Sequence, residues 1–156
     1  IKSISSERLS VLTDIKNRSA IKKEILKPLG LKNTFGSVDE VNLNDVMSGY
    51  YVGIEDDFRS ENQGMIATAE DVGIFLRALN DGSLLNENGM EIYASIYEFN
   101  HGGLVPGYQS MAEYHKDIDA VVIQFMSTTD FEGYQWNLLE ITHTRVVKIL
   151  RKLRNQ

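Results

Sequence analysis

Apolar residues in the stretch 7–27 fall at Leu9, Leu12, Ile15, Ile21 and Ile25, with Lys and Arg between them. That spacing puts them on one helix face, so one or two amphipathic helices are expected, interrupted near 17–19. Pro28 and Gly30 end the helical stretch, because proline blocks continuation and glycine accepts a left-handed cap. Residues 32–63 are rich in Asn, Asp, Gly and Ser and predict a long ordered loop with little regular structure. A helix then opens at Thr68, with Asp71 three residues on as a capping-box variant. Val72, Phe75, Leu76 and Leu79 give it one apolar face, and Asn80-Asp81-Gly82 ends it in a turn.

From residue 92 the apolar period changes to two. The stretch 92–99 predicts a short strand and 107–114 a second, and Lys116-Asp117-Ile118-Asp119 makes a turn into the strongly apolar strand 120–127. Residues 135–153 predict an amphipathic helix whose inner face carries Leu139, His143, Val146, Leu150 and Leu153. An antiparallel sheet from residues near 94–103, 107–115 and 119–127 is expected, with the last helix packed across one face. Helices, a long loop, a helix, antiparallel strands and a helix make an α+β arrangement.

Composition narrows the class. At 156 residues the chain is one domain, 1–156, long enough to bury roughly two thirds of its unfolded surface. It has no cysteine, which removes disulfides and thiol catalysis. No apolar run approaches the roughly 20 residues of a membrane helix, so no membrane span is expected. The chain opens on Ile1 rather than Met, which reads as a processed product or a fragment. The net charge of −6 hides two basic ends around an acidic middle. The basic residues sit on amphipathic helices without interleaved aromatics, so no nucleic-acid partner is expected.

Candidate chemistry is sparse. In His101-Gly102-Gly103-Leu104-Val105-Pro106-Gly107-Tyr108 the paired glycines let a ligand or another backbone approach closely. His101 beside them could act as a proton shuttle or anion partner. A glycine-rich hairpin with an incidental histidine is the competing reading. His115 is expected in an exposed turn, and His143 as a satisfied packing residue. With no H-x-x-x-H spacing and no obvious carboxylate partner, no metal site and no cofactor are expected. Ser19-Ala20-Ile21-Lys22 reads S-x-x-K, the spacing at which a helical lysine can activate a serine. Chance supplies about 0.7 such matches in a chain of this composition. Ser60-Glu61-Asn62 is an equally weak S-x-N match.

Three stretches in order carry a family resemblance. Residues 25–34, with Pro28-Leu29-Gly30-Leu31-Lys32-Asn33-Thr34, resemble the "PLGM-x-x-T" segment of penicillin-recognising serine hydrolases. That family includes class C β-lactamases, D-alanyl-D-alanine carboxypeptidases and related esterases. Gly64-Met65-Ile66-Ala67-Thr68-Ala69-Glu70-Asp71, followed by Phe75-Leu76, resembles its "GG-x-x-STA-x-D-x-x-x-FL" helix start. His101-Gly102-Gly103 with Pro106-Gly107-Tyr108 resembles its third catalytic motif, K-T-G or H-x-G.

The resemblance implies a β-lactamase-like fold and an acyl-enzyme mechanism on an amide, ester or D-amino-acid peptide. His101 would help orient substrate and the proton network, Gly103 would permit close approach, and the Leu104 N–H would be an oxyanion donor. Gly102 and Tyr108 would line the substrate site, with Gly102 standing where threonine is common. The family's Ser-x-x-Lys and Tyr-x-Asn lie far upstream of "PLG", so Ser19 does not inherit the nucleophile role. The chain is therefore read as the carboxy-terminal portion of such a hydrolase, inactive alone. Its expected partners are a small-molecule or peptide substrate and either a missing amino-terminal half or a second copy. A non-catalytic binding module derived from the family is the other reading. Family habit implies a cell-envelope or secreted location.

Overall fold

The computed structural model describes residues 18–59, 64–95, 100–130 and 138–156. The expected helix over 7–17 therefore lies outside the described residues. The chain enters through α1 (Arg18–Ile21), a π-helical turn over Lys22–Leu26 and α2 (Lys27–Leu29). Pro28 has no N–H to return to the preceding turn, which accords with the wider winding just before it. Gly30 then closes the helix with φ of 68°, and the Leu31 N–H donates to the Leu26 carbonyl at 2.8 Å.

The expected long loop is present and carries only short ordered pieces. These are β1 (Thr34–Phe35), two 3₁₀ turns (Val38–Glu40 and Leu43–Asp45) and β2 (Tyr50–Tyr51). Next comes β3 (Ile66–Ala67), antiparallel to β1, leading into α3 (Ala69–Asn80). Thr68 caps α3 as the sequence predicts, accepting the Asp71 N–H at 3.3 Å. The Asp71 carboxylate, however, leaves its own helix. It accepts the Asn33 N–H at 2.8 Å and the Thr34 hydroxyl at 2.7 Å, and is only 3% exposed. It thereby joins two of the three family-like stretches.

The expected strand over 92–99 is corrected. Glu87–Ala94 forms a helix, α4, and residues 96–99 lie outside the described residues. Its start is set by Asn86, whose side chain accepts the Gly89 N–H at 2.8 Å. A local cap outweighs a weak period-two run over so short a window.

The main sheet has the order β4-β5-β6, with β4 (Asn100–Val105), β5 (Tyr108–His115) and β6 (Ala120–Met126) antiparallel throughout. Pro106 and Gly107 make the first hairpin turn, Gly107 at φ of 83°. Lys116–Asp119 makes the second, with Asp119 at φ of 49°. A short β7 (Thr128–Thr129) follows and pairs parallel with β2.

Strand alternation sorts the sheet into two faces. Ala112 and Tyr114 with their partners Ile123 and Val121 face α3, where Leu76, Leu79 and Ala112 form the core. Glu113 and His115 with Val122 and Ala120 face α5 (Leu138–Arg154). The sheet is thus sandwiched between α3 and α5, while α2 packs on α3. Arg77 and Asp119 pair across the α3 side, with the Tyr114 hydroxyl donating to Asp119 at 2.8 Å.

The inner face of α5 differs from expectation. Leu139, His143 and Val147 are buried, whereas Val146 is 38% and Leu153 60% exposed. Packed on one face of the sheet, the helix buries a narrow stripe at spacing four. Leu138, Ile141, Val146, Ile149 and Leu153 form a second, exposed apolar stripe. Among the described residues no helix is long and apolar enough to cross a membrane.

Candidate active-site strand and its supports

β4 pairs on one side with β5, and among the described residues nothing pairs with its other edge. Unpaired backbone groups on such an edge can serve an extended substrate. His101 pairs with Ala112, Gly102 with Met111, Gly103 with Ser110 and Leu104 with Gln109. Leu104 and Val105 are 48% and 44% exposed, so this end of the strand is open to solvent.

The two glycines are not equivalent. A Cβ on Gly103 would lie 2.5 Å from the Ser110 hydroxyl oxygen, which would have to rotate away. Among the described residues, a Cβ on Gly102 would approach nothing nearer than the Ser110 carbonyl, at 3.8 Å. The space a side chain would need at Gly102 is therefore present.

Behind the strand end, the 47–58 loop is clamped to the hairpin. Gly107 donates its N–H to the hydroxyl of Thr129 at 2.8 Å, and Thr129 is 1% exposed. The Tyr108 hydroxyl donates to the Met47 carbonyl at 2.8 Å, and burial raises its pKa above the ordinary tyrosine value. Its ring lies against Gly49, where a Cβ would come within 2.5 Å of ring carbons. Tyr50 and Val52 N–H groups donate to the carbonyls of Ser127 and Thr129 at 2.9 and 3.0 Å. Arg59 braces the far end, donating to Asp57 and to the Leu43 carbonyl at 3.1 Å. Its hydrogen bonds hold the Asp57 carboxyl below its ordinary pKa. The geometry thus gives Tyr108 a part in holding this loop, which its sequence position did not reveal.

A concavity of about 810 Å³ lies elsewhere. Ser19, Lys22, Leu26, Thr34 and Met65 contribute to its lining, and none of Gly102–Val105 does. Ser19 and the Gly102–Leu104 part of the strand therefore do not share that cavity. Ser60–Asn62 lie outside the described residues.

Two histidines are placed differently from expectation. His115 closes β5 rather than standing in the turn, and its side chain is only 14% exposed. His143 is buried at 3% exposure, and neither of its ring nitrogens has a hydrogen-bond partner. Both approach Glu113, the carboxylate partner that sequence spacing alone did not identify. Burial pushes the His115 pKa below the ordinary histidine value, against the opposing pull of Glu113.

No protein-family model matches the sequence, and no curated protein matches it. Solved structures do. A D-amino acid amidase from Ochrobactrum anthropi SV3, complexed with L-phenylalanine amide, superposes with a TM-score of 0.75 at 18% identity. That match covers 88% of this chain and 52% of the amidase. The same amidase complexed with D-phenylalanine gives 0.67 at 19% identity, over 85% and 54%. A D-stereospecific amidohydrolase from Streptomyces sp. gives 0.55 at 17% identity, over 71% and 44%. The chain spans about half the length of these structures. Over the matched part its fold is that of the D-amino acid amidase and the D-stereospecific amidohydrolase.

Proposed function

We propose that the chain is the carboxy-terminal portion of a β-lactamase-like serine hydrolase that cleaves an amide, ester or D-amino-acid peptide through an acyl-enzyme. The observation that carries this reading is the superposition on a D-amino acid amidase over 88% of the chain. The edge of β4 with which no described residue pairs, at the segment resembling the third catalytic motif, supports it.

In that reaction a serine oxygen attacks the carbonyl carbon and negative charge gathers on the carbonyl oxygen. The amine or alcohol leaves with a proton, and water then cleaves the acyl ester. On this reading the Leu104 N–H faces the developing oxyanion, a contribution of about 3 kcal/mol for one such donor. Gly103 lets the substrate lie close to the strand, and His101 orients it and the proton network. Gly102 leaves out a hydroxyl that would bind a substrate carboxylate, which favours substrates without one. Tyr108 shapes the site by holding the 47–50 loop.

The nucleophile is assigned to residues outside these 156, because Ser19 and Lys22 line a cavity to which Gly102–Val105 contribute nothing. Intact-mass spectrometry after incubation with a penicillin and with a fluorophosphonate tests this. No adduct is expected on the 156-residue chain. A stoichiometric adduct lost in Ser19→Ala would make this chain a compact serine hydrolase in its own right.

A further inference from the structure

Glu113 and His115 are two residues apart on β5, so both side chains leave the same face of the sheet. That face is covered by α5, whose central buried position is His143. Thirty residues of sequence therefore separate groups that the fold brings into one small space. The Glu113 Oε2 lies 3.4 Å from His115 Nε2 and 3.3 Å from His143 Nε2. One ligand atom from each residue falls within 4.8 Å of the others. The imidazole rings are tilted, with centroids 5.7 Å apart.

We propose that Glu113, His115 and His143 form a binding site for a divalent transition-metal cation of the zinc class, clamping α5 to β5. Three points support it. Bonds of about 2.0–2.2 Å at tetrahedral angles put neighbouring ligand atoms about 3.3–3.5 Å apart, the separation seen on both sides of Glu113. His143 is buried, yet both its ring nitrogens lack hydrogen-bond partners, as does Nε2 of His115. Buried polar atoms rarely stay unpaired in native proteins, and a cation would engage one nitrogen of each ring. Two imidazoles with one carboxylate also suit zinc, cobalt or nickel better than magnesium or calcium, which prefer oxygen.

The other charges close by do not oppose a cation. Arg151 reaches this end of the sheet from α5, but Asp117 takes its guanidinium at 2.6 Å. A plain ion pair of Glu113 with two protonated imidazoles is the competing arrangement. It would crowd two positive rings on one carboxylate beneath a helix, and it would bind no metal. Three protein ligands leave a fourth tetrahedral position open to water. The site lies at the opposite end of β5 from the Gly107 turn. It makes no claim on the hydrolase reading, and its test does not use activity.

The test is titration of chelator-treated 156-residue chain with Zn²⁺ by calorimetry and with Co²⁺ by visible absorption. One equivalent should bind, with the intense d–d bands of four-coordinate cobalt and a rise in melting temperature. Glu113→Gln, at a half-exposed position that should preserve the fold, is expected to weaken binding by at least ~100-fold, as is His115→Gln. Circular dichroism checks that both variants remain folded. Absence of saturable binding at micromolar metal would overturn the proposal. So would stoichiometric binding that survives in the folded Glu113→Gln, His115→Gln double variant.

Discussion

Replacing Gly107 with alanine tests the clamp behind the candidate active-site strand. Gly107 sits at φ of 83°, a conformation that costs an L-residue about 1–2 kcal/mol. The new Cβ would also lie 2.9 Å from the Phe58 Cβ and 3.1 Å from the Gly49 Cα. Neither atom is the free end of a side chain, so the 49–58 loop must move, an overpacking cost of about 1–3 kcal/mol. The total is about 2–5 kcal/mol. In a chain of this length that lowers the melting temperature by about 5–20 °C. Gly53 provides the control: its φ is also 83°, but a Cβ there meets nothing within 4 Å among the described residues. Gly53→Ala should therefore show only the conformational part, about 1–2 kcal/mol. Urea denaturation of both variants separates the two contributions. If Gly107→Ala costs no more than Gly53→Ala, the close approach of the loop to the hairpin is wrong.

Asp71→Ala leaves the Asn33 N–H and Thr34 hydroxyl without their charged acceptor, and a loss of about 3 kcal/mol is expected from urea unfolding. Asp119→Asn probes the acid limb. Arg77 and Tyr114 hydrogen bonds hold the Asp119 carboxyl below its ordinary pKa. Their stabilisation is complete above the unfolded value of roughly 4 and is lost as pH falls through the lower folded value. The urea midpoint of the parent chain should accordingly drop more steeply below about pH 4 than that of Asp119→Asn. Asparagine also tolerates the positive φ at this position, which makes it a clean substitution. Gly102→Thr should fold with unchanged or slightly raised stability, because its Cβ has room and threonine favours strands. A melting temperature lowered by more than a few degrees would contradict the space seen beside β4.

Much of the architecture was legible from local pattern. Period-two alternation marked β5 and β6, because a strand buried on both faces still sorts its residues by side. Thr68 marked the start of α3, and Gly30 the end of α2, because capping is local chemistry. Asn86 carried the same kind of signal for α4, yet the apolar run around Ile92 pointed to a strand. A competent cap three residues ahead of Gly89 was the better guide.

The tertiary structure decided what local pattern could not. Which stripe of α5 is inward depends on the sheet beneath it: Val147 is buried and Val146 exposed, although both suit a helix face. Asp71 looked like a helix cap and instead ties α3 to the segment after Gly30, a choice made by a neighbour 38 residues away. Gly49 and Gly107 gave no sign in the sequence that their backbones nearly touch. Glu113, His115 and His143 are the plainest case. The sequence put His115 in a turn, and it is the extension of β5 to His115 that sets the first two on one face. Only the packing of α5 over that face could bring the third within 3.3 Å of the same carboxylate. Elements follow from neighbours along the chain, whereas a site needs groups distant in sequence held at bonding distance, and packing sets that distance.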